Sequence, residues 1–107
     1  MQLNPTPFFE KNVRRLTRKY PSLPEDIAQL GQSLLLNPHQ GKSMGQDCFK
    51  VRLKIKSKNT GKSGGGRVIT CVKIIDETIH ILTIYDKSEK ENFEKGELDE
   101  LLKQIDL

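Results

Sequence analysis

Between Phe49 and Lys56 cations alternate with apolar residues. Lys50, Arg52, Lys54 and Lys56 fall on one side of a period-two pleat, and Phe49, Val51, Leu53 and Ile55 fall on the other. One side of such a strand seals a core while the other gathers positive charge. Arg67 follows directly on Gly61-Lys62-Ser63-Gly64-Gly65-Gly66, and Lys87 follows a later apolar run. Guanidinium and ammonium groups gathered in this way suit a phosphodiester. RNA carries its own nucleophile: the 2′-hydroxyl attacks the adjacent phosphorus, leaving a 2′,3′-cyclic phosphate and a free 5′-hydroxyl, with no metal and no cofactor required. The protein has to orient the chain, neutralise the phosphorane and help move protons.

Other chemistries have less support. No Ser-His-Asp set and no pair of carboxylates lies among these cations, which leaves acyl transfer and metal-assisted hydrolysis unattractive. Gly61-Lys62-Ser63 resembles the end of a nucleotide-binding phosphate loop, but Lys56 stands where that motif needs glycine, and a strand rather than a helix follows. The stretch from Asn59 to Gly66 is instead expected as a hairpin tip, whose backbone N–H groups with Lys58 and Lys62 could follow a phosphate chain. Each cation also has a plainer reading: solvated strand cations for Lys50 and Arg52, a hairpin brace for Arg67, and a surface pair with Asp86 for Lys87.

These residues need a scaffold, and the chain supplies enough for one domain: 107 residues, 35% hydrophobic and 30% charged. No apolar run approaches bilayer length and the first residues lack the pattern of a secretory signal, so the expected location is cytoplasmic, away from membranes. The net charge of +4 hides a division, with residues 1–75 at +10 and residues 76–107 at −6. That suits a polyanion-facing body with an acidic end. Strands paired about a turn near Gly61 would set Cys48 opposite the far end of the next strand from Cys71, so no disulfide is expected. Together with His39 and His80, the cysteines show none of the usual metal-ligand spacings.

Thr6-Pro7 predicts a helix start, continued by Phe9, Val13, Leu16 and Tyr20 at helical spacing and ended by Pro21. Lys11, Arg14, Arg15, Arg18 and Lys19 occupy its other sides. Ser22-Leu23-Pro24-Glu25 has the form of a capping box opening a second helix through Ile27, Leu30 and Leu34, which stops near Asn37-Pro38. A loop is expected from His39 to Asp47. Three antiparallel strands follow, about 48–56, 67–75 and 78–85, the last two joined at Asp76-Glu77. Leu98, Leu101, Leu102 and Ile105 mark a short C-terminal helix, with Gly96 before it as a hinge.

The chain resembles the RelE/HigB superfamily of bacterial type II toxins, in particular its HigB-like branch, over nearly its whole length. The matching features are Arg14-Arg15-Leu16 and Lys19-Tyr20-Pro21-Ser22 in the helix pair, Phe49-Lys50-Val51-Arg52-Leu53, Gly61 through Ile69, and Ile84-Tyr85-Asp86-Lys87-Ser88-Glu89-Lys90. The resemblance implies an α+β fold, two N-terminal helices on a small antiparallel sheet of three to four strands with a short C-terminal helix. It implies a ribosome-dependent endoribonuclease that cuts mRNA, with Lys50, Arg52, Arg67 and Lys87 as catalytic residues and no cofactor. Lys54, Lys56, Lys58, Lys62, Tyr85 and Phe93 are then RNA-binding candidates. Phe93 lies nearest the position where the family often has a base-stacking tyrosine, and phenylalanine cannot transfer a proton. The implied partners are the ribosome, mRNA and a cognate antitoxin of helix-turn-helix type. Two alternatives remain: a ParE-like DNA gyrase inhibitor of the same fold, and a non-catalytic nucleic-acid-binding module.

Overall fold

In the computed structural model, which describes residues 1–58, 65–90 and 93–105, Thr6 caps helix α1 (Pro7–Thr17). Its hydroxyl oxygen accepts the Phe9 N–H at 3.3 Å, and Pro7 sits in the first turn, where its missing N–H has no partner to lose. Helix α2 (Leu23–Leu36) begins after Ser22, but the expected capping box with Glu25 does not form. Ser22 Oγ donates instead to Asp26 Oδ2 at 2.7 Å. A reciprocal box is found at helix α3 (Lys95–Leu102), where the Glu94 side chain takes a backbone N–H of the first turn and Glu97 takes that of Glu94. Gly96 lies inside that first turn, not ahead of the helix as a hinge.

Five strands form one mixed sheet, where three to four were expected: β1 (Gln2–Pro5), β2 (Lys42–Gly45), β3 (Cys48–Leu53), β4 (Gly66–Lys73) and β5 (Thr78–Asp86), in the order β1-β5-β4-β3-β2. The expectation of wholly antiparallel pairing fails at one edge, since β1 runs parallel to β5. The supposed loop before Cys48 holds β2, paired with β3 through a turn at Gln46 and Asp47, both with positive φ. Two strands are shorter than expected. β3 ends at Leu53, leaving Lys54 and Lys56 outside it, and β4 ends at Lys73, because the pairing of Lys73 with Thr78 closes the hairpin and leaves Ile74 and Ile75 exposed in the turn.

The two sheet faces have different covers. Phe9, Leu16, Tyr20 and Leu23 from the helix pair pack on Leu53, Ile55, Val68, Ile81 and Ile84. On the reverse face Leu98, Leu101 and Leu102 of α3 pack on Cys48, Ile69, Cys71, Leu82 and Tyr85. This settles β4, which is apolar on both sides because both sides are covered. The register also corrects the expected cysteine separation: Cys48 and Cys71 are direct partners across β3 and β4, and both are buried. Their mutual hydrogen bond and burial push the Cys48 thiol far above its usual range, the opposite of what makes a cysteine reactive.

Strand β5 changes phase partway along. Thr83 pairs with Ile69 but Ile81 pairs with Thr70, so Leu82 is an extra residue. A bulge of this kind re-aims every side chain beyond it. Ile79 and Ile81 face the helix pair before it; Ile84 faces that pair after it, and Tyr85 turns to the α3 face.

Candidate nucleic-acid interface

The α3 face is only half covered. Helix α3 lies over the end of β3 and β4 that holds Cys48 and Cys71, and the other end of the same face carries Lys50 and Arg52 from β3 and Arg67 from β4. Arg52 is the register partner of Arg67, which in turn pairs with Tyr85, so the three stand in one row across three strands. Lys50 is the register partner of Lys42 on β2. Like charges set directly opposite one another destabilise a sheet, and here it happens twice.

The open end forms a cleft of about 640 Å³ lined by Gln40, Gly41, Lys42, Lys50, Val51, Arg52, Arg67, Tyr85 and Lys87. The four residues singled out from the sequence as catalytic candidates, Lys50, Arg52, Arg67 and Lys87, thus meet around one space. Among the described residues five cations line it and no carboxylate does. Among the described residues none of these five makes an ion pair; the five salt bridges found involve Arg15, Lys56, Lys58, Lys90 and Lys103. Arg67 spends one N–H on Gly66 O at 2.9 Å, which orients a guanidinium that has five N–H donors to offer. Among the described residues no three His, Cys, Asp or Glu side chains gather as a metal site.

Gly41 lines this cleft and Gly65 O accepts the N–H of its Lys87, and at neither glycine does anything larger fit. A Cβ on Gly41 (φ +101°) would meet Lys50 O at 2.6 Å, and one on Gly65 (φ +91°) would meet Leu53 O at 2.5 Å. Tyr85 forms one wall. It is 7% exposed, its hydroxyl has no hydrogen-bond partner among the described residues, and its ring stacks on Phe93 at 5.9 Å between centroids and 12° between planes. Burial pushes the phenol pKa up, against a smaller opposing pull from the Arg67 charge, so the hydroxyl keeps its proton at neutral pH.

The RNA-binding candidates are distributed differently. Among the described candidates only Tyr85 lies in the cleft wall. Phe93 belongs to a second pocket of about 310 Å³ on the far side of Tyr85, with Lys90 over its ring at 5.5 Å, so its ring faces are not presented to the cationic cleft. Lys54 is exposed beyond the end of β3, and Lys56 pairs with Glu25 of α2 at 3.4 Å, away from the cleft. Lys58 is the clear correction: its side chain is 9% exposed and its ammonium contacts buried Asp86 at 2.7 Å, so it is not available to a phosphate chain. Asp86 therefore pairs with Lys58 and not with Lys87. Lys62 lies outside the described residues. Lys42 and Gln40 line the cleft but were passed over in the sequence, where the only signal was the short polar stretch before Cys48.

No family model and no curated protein matches the chain. Among solved structures, one similar to this chain is E. coli toxin RelE, an arginine-to-alanine double mutant in its free state. It superposes with a TM-score of 0.63 over 96% of this chain and 95% of that one, at 19% sequence identity. The fold is RelE-like. The RelE-like fold accounts for the α+β architecture expected from the sequence, while the short β1 and β2 flank the strands recognised there. Among the described residues no helix is long and apolar enough to cross a membrane.

Proposed function

We propose that this protein is the toxin of a type II toxin-antitoxin system and acts as a ribosome-dependent endoribonuclease on mRNA. The observation that carries the proposal is the meeting of Lys50, Arg52, Arg67 and Lys87 around one cleft that no carboxylate among the described residues lines, at a cost in strand pairing that a purely structural surface would have no reason to bear. The RelE-like fold supports it, since the neighbour it matches is itself a toxin.

In this reading the scissile phosphate lies against Arg67 and Arg52, which take up the charge that develops on the phosphorane oxygens. The 2′-oxygen bonds to phosphorus as its proton leaves to one lysine, and the P–O5′ bond breaks as the 5′-oxygen gains a proton from the other. Lys50 and Lys87, on β3 and beyond β5, are the two carriers. Lys42 extends the cationic rim for flanking phosphates. Tyr85 contributes the wall of the cleft. A basic cleft of this kind also calls for an acidic or apolar segment of a cognate antitoxin, expected to carry a helix-turn-helix domain.

Induced expression should halt translation and leave message ends mapping within translated codons. Arg67→Ala should lower cleavage by about 100-fold or more. Full toxicity in that variant would remove Arg67 from the site, and DNA damage signalling without message cleavage would transfer the protein to the gyrase-inhibitor reading.

A further inference from the structure

The carboxylate beside the cleft is not among its lining residues, yet it ties Tyr20, Lys58 and Ser88 together next to Lys87. Asp86 is fully buried. Its Oδ1 accepts from Lys58 Nζ at 2.7 Å and from the Ser88 backbone N–H at 3.0 Å, and its Oδ2 accepts from the Tyr20 hydroxyl at 2.5 Å. Burial pushes the carboxyl pKa up, but the hydrogen bonds from Lys58, Tyr20 and Ser88 outweigh it and hold the group well below the usual carboxylate range. The Lys58 ammonium also lies 5.8 Å from the centre of the Tyr20 ring.

A buried ion pair is a poor device for stability, because removing both charges from water consumes most of their attraction; an apolar cluster of similar volume serves as well or better. Its position suggests another use. Lys58 and Gly65 bracket residues 59–64, and Gly65 O accepts the Lys87 N–H at 3.2 Å. Lys87 is therefore tied on one side to the residue that leads through Gly66 into Arg67. On the other side it is tied through Ser88 N–H to Asp86, and through Asp86 to Lys58 and Tyr20.

We propose that Asp86, with Lys58 and Tyr20, is a positioning device that fixes Lys87 opposite Arg67 at the spacing a single phosphodiester needs. It rests on the reading of the cleft as an RNA site but adds residues that touch no RNA. Lys58 then acts on the substrate only through Asp86.

The test is a binding cycle that needs no cleavage. The probe is a short single-stranded RNA whose riboses carry 2′-O-methyl groups, so that no 2′-hydroxyl can attack. Lys87→Ala is expected to weaken its binding by about tenfold in the wild-type background. The triple variant Tyr20→Phe, Lys58→Met and Asp86→Leu should melt cooperatively, bind the probe about tenfold more weakly, and lose less than a further twofold when Lys87→Ala is added. The milder Tyr20→Phe, which removes one hydrogen bond, should show a smaller loss with the same non-additivity, and it carries the test if the triple variant does not fold. An equal tenfold effect of Lys87→Ala in every background would overturn the proposal, as would a folded triple variant that binds like wild type. If the wild type binds the probe but cuts no message, the ribonuclease reading fails while the cycle still decides the role of Asp86.

Discussion

Arg52 and Arg67 face one another across β3 and β4, and nothing acidic among the described residues lines the cleft beside them. Relief of that repulsion should be measurable. Arg52→Thr replaces a cation with a residue that favours strands, so it should raise the stability to urea by a few tenths of a kcal/mol while lowering RNA cleavage. A loss of stability would mean that Arg52 has a stabilising partner and that the charge crowding is not a cost. The cation positions were legible in the sequence because a strand's alternation is local: Lys50 and Arg52 had to share a side. The fate of Lys58 was not. Lys56-Ser57-Lys58 looks like exposed polar chain, and its buried counter-charge lies 28 residues further on. The row formed by Arg52, Arg67 and Tyr85 was equally hidden, since Tyr85 reaches it only through the bulge at Leu82.

Among the elements, the entry into β4 leaves no room for a side chain. Gly65 has φ +91° and passes so close to β3 that a Cβ would sit 2.5 Å from Leu53 O. Gly65→Ala should therefore destabilise the fold by about 1–3 kcal/mol in urea denaturation, combining a left-handed backbone with a backbone collision. Unchanged stability would show that β3 and β4 can separate there freely. The glycine-rich stretch was evident in the sequence as a turn between strands, and the Thr6-Pro7 helix start was equally plain. The short edge strands were not. Gln2–Pro5 and Lys42–Gly45 have four residues each, too few for a periodicity, and they are strands only because β5 and β3 offer them backbone partners. The capping box misled for a related reason: Ser22 Oγ donates to Asp26 and accepts the Ser57 N–H at 2.9 Å, a partner 35 residues away, instead of an N–H of the first turn of α2.

Over the whole molecule, charge is segregated along the chain and again in space. The basic part of the sequence, net +10 over residues 1–75, supplies four of the five cations of the cleft. The acidic part supplies α3, which covers the other half of the same sheet face. If single-stranded RNA binds through about four phosphate contacts, log affinity should fall against log salt with a slope of about −3, measured by fluorescence anisotropy. A slope near zero would remove the cleft as the place where RNA is held. The sequence by itself determined that one strand side is cationic and the other apolar, that two helices precede the three longer strands and one follows them, and that Lys50, Arg52, Arg67 and Lys87 are the groups to watch. Each of these follows from local periodicity, a capping residue, or a resemblance carried by short motifs. Only the tertiary structure decided that the four share a cleft, that Cys48 faces Cys71, and that Lys58 is spent on Asp86. Those outcomes depend on strand register, on one extra residue in β5, and on contacts such as Tyr20 with Asp86 across 66 residues, where a one-residue slip would exchange the faces.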